Sequence, residues 1–214
     1  MTSRRNVHDE VLDATRACVE AFGIRRTTLT DVARRAGVSR PTVYRRWPDV
    51  TSLVADLLTR ELRAILLAHK VEHDELSTRD NVVAQATGVL RALLSHPLFT
   101  RIVDNEPELL ATYTFQRLGT GQSVALGLLR PELEAGQRDG SIRRGDPDAM
   151  ARMVLLVIQN TATSRRLTTD VMTEDQLVDE ARVMLDGYLA PMSTTNADHD
   201  AATSTSAASA PPRE

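Results

Sequence analysis

The chain has 214 residues, an apolar fraction of 42%, a net charge of −3 and only seven aromatic side chains. That composition supplies a core for packed helices and disfavours a sandwich or barrel, whose strands lean on β-branched and aromatic residues. The single cysteine, Cys18, excludes an internal disulfide, and no apolar run nears the roughly 20 residues that span a bilayer. The expectation is a soluble, cytoplasmic, all-α protein. The modest net charge conceals an asymmetry: residues 1–50 hold ten arginines against six acidic residues, whereas the remainder holds 16 basic and 23 acidic residues. A basic head on an acidic body points to a polyanionic partner for the head.

In chain order, "VHDEVLDATRACVEAFG" sets Val7, Val11, Ala14, Cys18 and Phe22 on one helical face, with Gly23 as the stop. Cys18 on that face reads as a small buried hydrophobe. "TLTDVARRAG" opens on Thr28 with Asp31 three residues on, a start like a capping box, and ends at Gly37. Ser39 caps a third short helix that tolerates Pro41 in its first turn and ends at Pro48. A longer helix runs from about Asp49 to Lys70, with Leu53, Leu57, Leu62, Ile65 and Leu66 on its buried side. "NVVAQATGVLRALLSH" is closed by Pro97, and a short segment runs from Leu98 to Asp104. A further helix spans about Glu108 to Leu118, "GTGQ" at 119–122 breaks the pattern, and helix resumes through "SVALGLLRPELEAGQRDG". "DPDAMARMVLLVIQNTATSRRL" starts on Asp146 with Pro147 at the first position, and "TEDQLVDEARVMLDGYLA" closes the fold. From Met192 the chain is Ala, Ser, Thr and Asp, which predicts a disordered tail over 192–214.

Helix two, the Gly37 turn and helix three read as a helix-turn-helix. Val38 and Val43 fill its core, while Arg40, Thr42, Tyr44, Arg45 and Arg46 face outward with donors for phosphate oxygens and guanine edges. Pro41 and the methyl of Thr42 suit a thymine methyl, and Thr27, Thr28, Thr51 and Ser52 accompany the free N–H groups at two helix starts. The run "TTLTDVARRAGVSRPTVYRRW", followed by "PDVTSLVADLL", resembles the TetR/AcrR transcriptional regulators over about 30 near-continuous positions. The resemblance implies a homodimer with a DNA-binding head at 1–48. It also implies a helical body at 49–191 that pairs through its last two helices and holds a small-molecule pocket. One position departs from the family pattern: Val50 stands where a lysine is usual, which removes one cation near a phosphate.

In the body, the 146–167 helix is apolar on two sides, through Met150, Met153, Val154, Leu156, Val157 and Ile158. The last helix offers Leu177, Val178, Ala181, Met184, Leu185, Tyr188 and Leu189. Two such hairpins suit an isologous four-helix pairing; the simpler alternative is that both helices only complete a monomer core. Candidate pocket residues are Leu90, Leu94, Phe99, Ile102, Leu109, Tyr113, Phe115, Leu118, Leu128 and Met153, with Gln159 and Asn160 able to fix a polar group. Few aromatics and few buried charges favour an aliphatic, lipid-like effector over a flat cationic one. His69 and His73 have a metal-capable spacing but read as a solvated helix end, and "GTGQS" lacks the strand and lysine of a phosphate loop. No catalytic constellation, cofactor motif or metal set is expected. The reading is a DNA-binding repressor released from a palindromic operator by a hydrophobic molecule. Its competitor is a small-molecule-binding or enzymatic helical protein with a vestigial head.

Overall fold

A computed structural model describes residues 6–70, 75–106 and 118–191, and every regular element among them is helical. In order these are α1 (Val7–Phe22), α2 (Leu29–Ala36), α3 (Arg40–Tyr44), α4 (Val50–Ala68), α5 (Thr78–Ser95), α6 (Pro97–Asn105), α7 (Thr120–Asp139), α8 (Pro147–Thr163) and α9 (Glu174–Leu189). A 3-10 turn, Arg165–Leu167, links the last two. The expected helix from Glu108, with Leu109, Tyr113 and Phe115, lies outside the described residues, as do His73 and the tail from Met192. Among the described residues no helix is long and apolar enough to cross a membrane.

Helix starts follow the capping residues. Asp31 N donates to Thr28 Oγ1 at 3.1 Å, Thr42 N to Ser39 Oγ at 3.3 Å and Ser52 N to Asp49 Oδ1 at 2.7 Å. Asp146 and Thr173 do the same for α8 and α9. Each such cap is worth about 1 kcal/mol. The "GTGQ" stretch departs from expectation: α7 begins at Thr120, so Gly121 is helical and buried. The start holds because Gln122 Oε1 accepts from Gly119 N at 2.6 Å, and because a glycine at 121 admits close approach to α4.

The described residues form two cores. The first gathers Leu12 and Val19 of α1, Val32 and Ala33 of α2, Val43, Trp47, and Leu53, Val54 and Leu57 of α4; Leu98 and Ile102 of α6 complete it. A division at residue 48 therefore cuts through this cluster, since α4 and α6 close the head. The second core packs Leu90 and Leu94 of α5, Leu133 of α7, Met150 and Val154 of α8, and Leu185 and Leu189 of α9. Cys18 is buried in the first core, and that burial pushes its thiol pKa up, away from thiolate reactivity.

A charged knot ties α1 to α4. Glu61 is 8% exposed. Its Oε2 accepts from Arg16 Nη1 at 3.1 Å and its Oε1 from Arg60 Nη2 at 2.8 Å. Arg60 also pairs with Asp13 of α1 at 2.8 Å, and His96 Nε2, at the α5–α6 junction, lies 3.6 Å from Glu61 Oε2. Removing the central acid leaves two guanidinium groups without their shared acceptor. Glu61→Ala should lower unfolding stability by about 2–3 kcal/mol in urea followed by far-UV circular dichroism. A loss below roughly 0.5 kcal/mol would make the knot a passive surface pair.

A candidate DNA-reading head joined to an apolar cavity

The turn between α2 and α3 is set by Gly37, whose φ of 67° is a left-handed conformation that glycine adopts without strain. Val38 N closes the turn onto Ala33 O at 3.1 Å, and Ala33, almost fully buried, lets the helices meet. Helix α3 then turns only Val43 inward. Tyr44 is 51% exposed, an aromatic ring held outside the core by its neighbours' geometry. Arg40, Pro41, Arg45 and Arg46 are exposed beside it, and among the described residues none of these three arginines is paired with a carboxylate. Thr42 is half-buried, its hydroxyl 2.7 Å from that of Ser39. The outer face of α3 and the two residues after it thus carry cations that no carboxylate neutralises among the described residues.

The threonines at the helix starts divide. Thr51 is exposed in the first turn of α4, and Thr28, also exposed, donates its hydroxyl to Asp31 Oδ2 at 2.6 Å while capping α2. Thr27, expected beside the free N–H groups at the start of α2, is turned inward. It is buried and donates to Gly23 O at 2.8 Å, which closes the α1–α2 turn. Val50, at the first position of α4, packs half-buried against the head core.

Trp47 anchors the far end of α3. It is 3% exposed, its Nε1 donates to Asp56 Oδ2 of α4 at 2.8 Å, and the His8 ring stacks on it at 5.4 Å. The Arg46 guanidinium carbon lies 5.3 Å from the Trp47 ring centroid, a cation–π approach. The end of α3 is therefore fixed directly to α4.

The opposite face of α4 borders a cavity of about 350 Å³. Leu58, Leu62 and Leu66 form the α4 wall, and α5, α6, α7 and α8 supply the rest, with Val89, Phe99, Leu129 and Ile158 among them. Of the residues expected to line a pocket, Phe99, Leu118, Leu128 and Gln159 stand at this wall. Four others do not. Leu90 and Leu94 are sealed inside the body core, Ile102 belongs to the head core, and Met153 faces outward at 44% exposure. Helical spacing marks a residue as buried but does not say which of two cores or which wall receives it. Arg165, beside the cavity, was not legible: in "ATSRRLTT" it reads as a solvated helix end. His69 Nδ1 lies 2.9 Å from Ile65 O, and its ring lies against Gly88. Among the described residues no three His, Cys, Asp or Glu side chains are grouped to hold a metal ion.

Two short capped helices about a left-handed glycine, with arginines free of carboxylate partners at both ends of the second, define a helix-turn-helix DNA-binding regulator. Residues 11–57 match the family model described as bacterial regulatory proteins, tetR family. An uncharacterised HTH-type transcriptional regulator of Mycobacterium bovis is 38% identical over 186 residues, which cover 87% of this chain and 96% of that one. The chain belongs to the tetR family of transcriptional regulators. Its fold is also that of the Rhodococcus erythropolis repressor QsdR, with a TM-score of 0.64 at 14% identity over 87% of this chain and 97% of that one. SmeT in complex with triclosan is similar as well, with a TM-score of 0.58 at 20% identity over 86% and 91%.

The Trp47–Asp56 bond gives a direct test of how the head is seated. Emission from this sole tryptophan should resist acrylamide quenching in the native protein. Asp56→Ala should lower stability by about 1–2 kcal/mol by leaving a buried indole N–H without an acceptor. Quenching as efficient as that of free tryptophan would contradict the seating of α3 on α4.

Proposed function

We propose that this protein is a cytoplasmic repressor that binds a palindromic operator as a homodimer and leaves it when a hydrophobic small molecule enters the cavity. The observation that carries this reading is the double duty of α4. Leu53, Val54 and Leu57 hold the DNA-reading head, while Leu58, Leu62 and Leu66 form a wall of the cavity. A ligand that fits better when α4 is displaced draws the population toward that arrangement, by no more than its differential affinity.

In the proposed complex each α3 enters the major groove, and two copies lie about 34–36 Å apart or a multiple of that. Arg40, Tyr44, Arg45 and Arg46 supply phosphate and base-edge donors, Pro41 and Thr42 supply apolar contact, and Thr28 and Thr51 flank the backbone at two helix starts. The dimer uses the outer face of α8 and α9, where Met153, Leu156, Val183 and Met184 are all exposed. A cluster of large apolar side chains at one helix pair suits an isologous partner surface. The triclosan held by SmeT is a precedent within the fold for a small apolar ligand.

Binding to the DNA flanking the protein's own gene tests the proposal. Arg45→Ala should weaken operator binding by about 1–3 kcal/mol in fluorescence anisotropy while the protein remains a folded dimer. Unchanged affinity would remove α3 from the interface. Val50→Lys restores a cation at the start of α4, so binding should tighten and the slope of log affinity against log salt should steepen by about one. A slope equal to that of the wild type would mean that position 50 does not face a phosphate.

A further inference from the structure

We infer that the cavity takes an uncharged ligand, an aliphatic body carrying a carbonyl oxygen, and that Gln159 donates to that oxygen. This rests on reading the cavity as an effector site, and it names the chemistry of that effector. Among the described residues of the wall only Asp56 and Arg165 carry charge, and neither is left to a ligand. Asp56 accepts from Trp47 and is otherwise open to water. Arg165 Nη2 donates to Asp104 at 2.7 Å and Nη1 to Glu174 at 3.4 Å, and Arg166 Nε lies 3.0 Å from the other oxygen of Asp104. Two cations thus meet two carboxylates, and Arg165 Nε is buried out of a ligand's reach. An ion entering this chamber would shed its water with no buried counter-charge to replace it, which costs far more than burying a neutral dipole.

Three wall hydroxyls are spent on their own helices: Thr59 donates to Ala55 O at 2.9 Å, Thr100 to Pro97 O at 3.1 Å and Thr163 to Gln159 O at 2.9 Å. The amides differ. Gly119 N can only donate, so the Gln122 atom that meets it at 2.6 Å is the oxygen, Oε1. That turns Gln122 Nε2 toward Gln159, and an N–H facing Gln159 requires its oxygen there. Gln159 Nε2 is then the free end of the relay: half-buried at the wall, it has no acceptor among the described residues. A backbone N–H thus dictates, through two amides, that Gln159 offers donors while its oxygen is engaged. Gln85, also half-buried at the wall, has no such tether among the described residues, so its amide can turn and selects neither donor nor acceptor. A fixed donor without net charge is matched by a neutral acceptor. A ketone or ester carbonyl supplies one and adds no hydrogen that needs an acceptor of its own.

Similar tails with three heads test this on the full-length protein. 2-Nonanone, nonanoate and nonyltrimethylammonium, each below its aggregation threshold, are titrated calorimetrically. 2-Nonanone should bind at least about tenfold more tightly than either ion. Gln159→Met keeps the length of the side chain but removes the donor, and should weaken the ketone about three- to tenfold. Gln85→Met should not weaken it. Equal or tighter binding of either ion, no binding of the ketone, or unchanged ketone affinity in a folded Gln159→Met protein would each overturn the inference. So would a loss at Gln85→Met that Gln159→Met does not show. Operator binding measured in parallel separates the two readings. Ketone binding without any change in operator affinity sinks the effector role and leaves the site, whereas release from the operator by either ion and not by the ketone sinks this inference alone.

Discussion

A single helix carries two packing obligations, and the rest of the structure depends on that. Helix α4 turns Leu53, Val54 and Leu57 into the head core and Leu58, Leu62 and Leu66 toward the cavity. Its 19 residues span about 28 Å at 1.5 Å per residue, long enough to serve both units as one rigid rod. Because interiors are packed at crystal-like density, a side chain pushed on one face cannot be absorbed silently on the other. Packing is incomplete at the cavity, which sits against that rod.

Polar ties give the rod its purchase on the head. Glu61 gathers Arg16 and Arg60, and Asp56 holds the indole of Trp47. These bonds are directional where apolar packing is not, so they fix the angle between α1, α3 and α4 and not only their contact. The spacing of two recognition helices on DNA is a geometric requirement of the same kind. Helix α6 adds a second route. Its Leu98 and Ile102 close the head core, while Phe99 of the same helix faces the cavity and meets the His96 ring at 5.1 Å.

The head was legible in the sequence because short-range chemistry determines it. Thr28, Ser39 and Gly37 act within three or four residues of themselves, and the outward face of α3 follows once Val43 points inward. The cavity was only half legible. Phe99, Leu128 and Gln159 were placed at its wall by spacing and composition, whereas Leu90, Leu94 and Ile102 share the same spacing and went to solid core. Periodicity encodes which side of a helix is buried, and the neighbour across the gap is a tertiary fact. Thr27 illustrates a second limit, since a threonine beside a helix start can serve the incoming chain as readily as a ligand. Gly121 illustrates a third. A glycine that reads as a break was needed for close approach, and only the facing helix shows why.

That approach provides the most direct measurement. A Cβ at Gly121 would come within 2.9 Å of Leu62 Cδ2 and 3.7 Å of Thr59 Cα, both on α4, whereas at Gly127 of the same helix nothing lies within 4 Å. Gly121→Leu is therefore a covalent wedge against the rod, and Gly127→Leu is its control. Affinity is measured for an operator selected from random DNA by the wild-type protein. If α4 joins cavity to head, Gly121→Leu should bind that operator at least about tenfold more weakly, with helicity and dimerisation unchanged, and Gly127→Leu should bind as the wild type does. Undiminished affinity in a folded Gly121→Leu dimer would contradict the account.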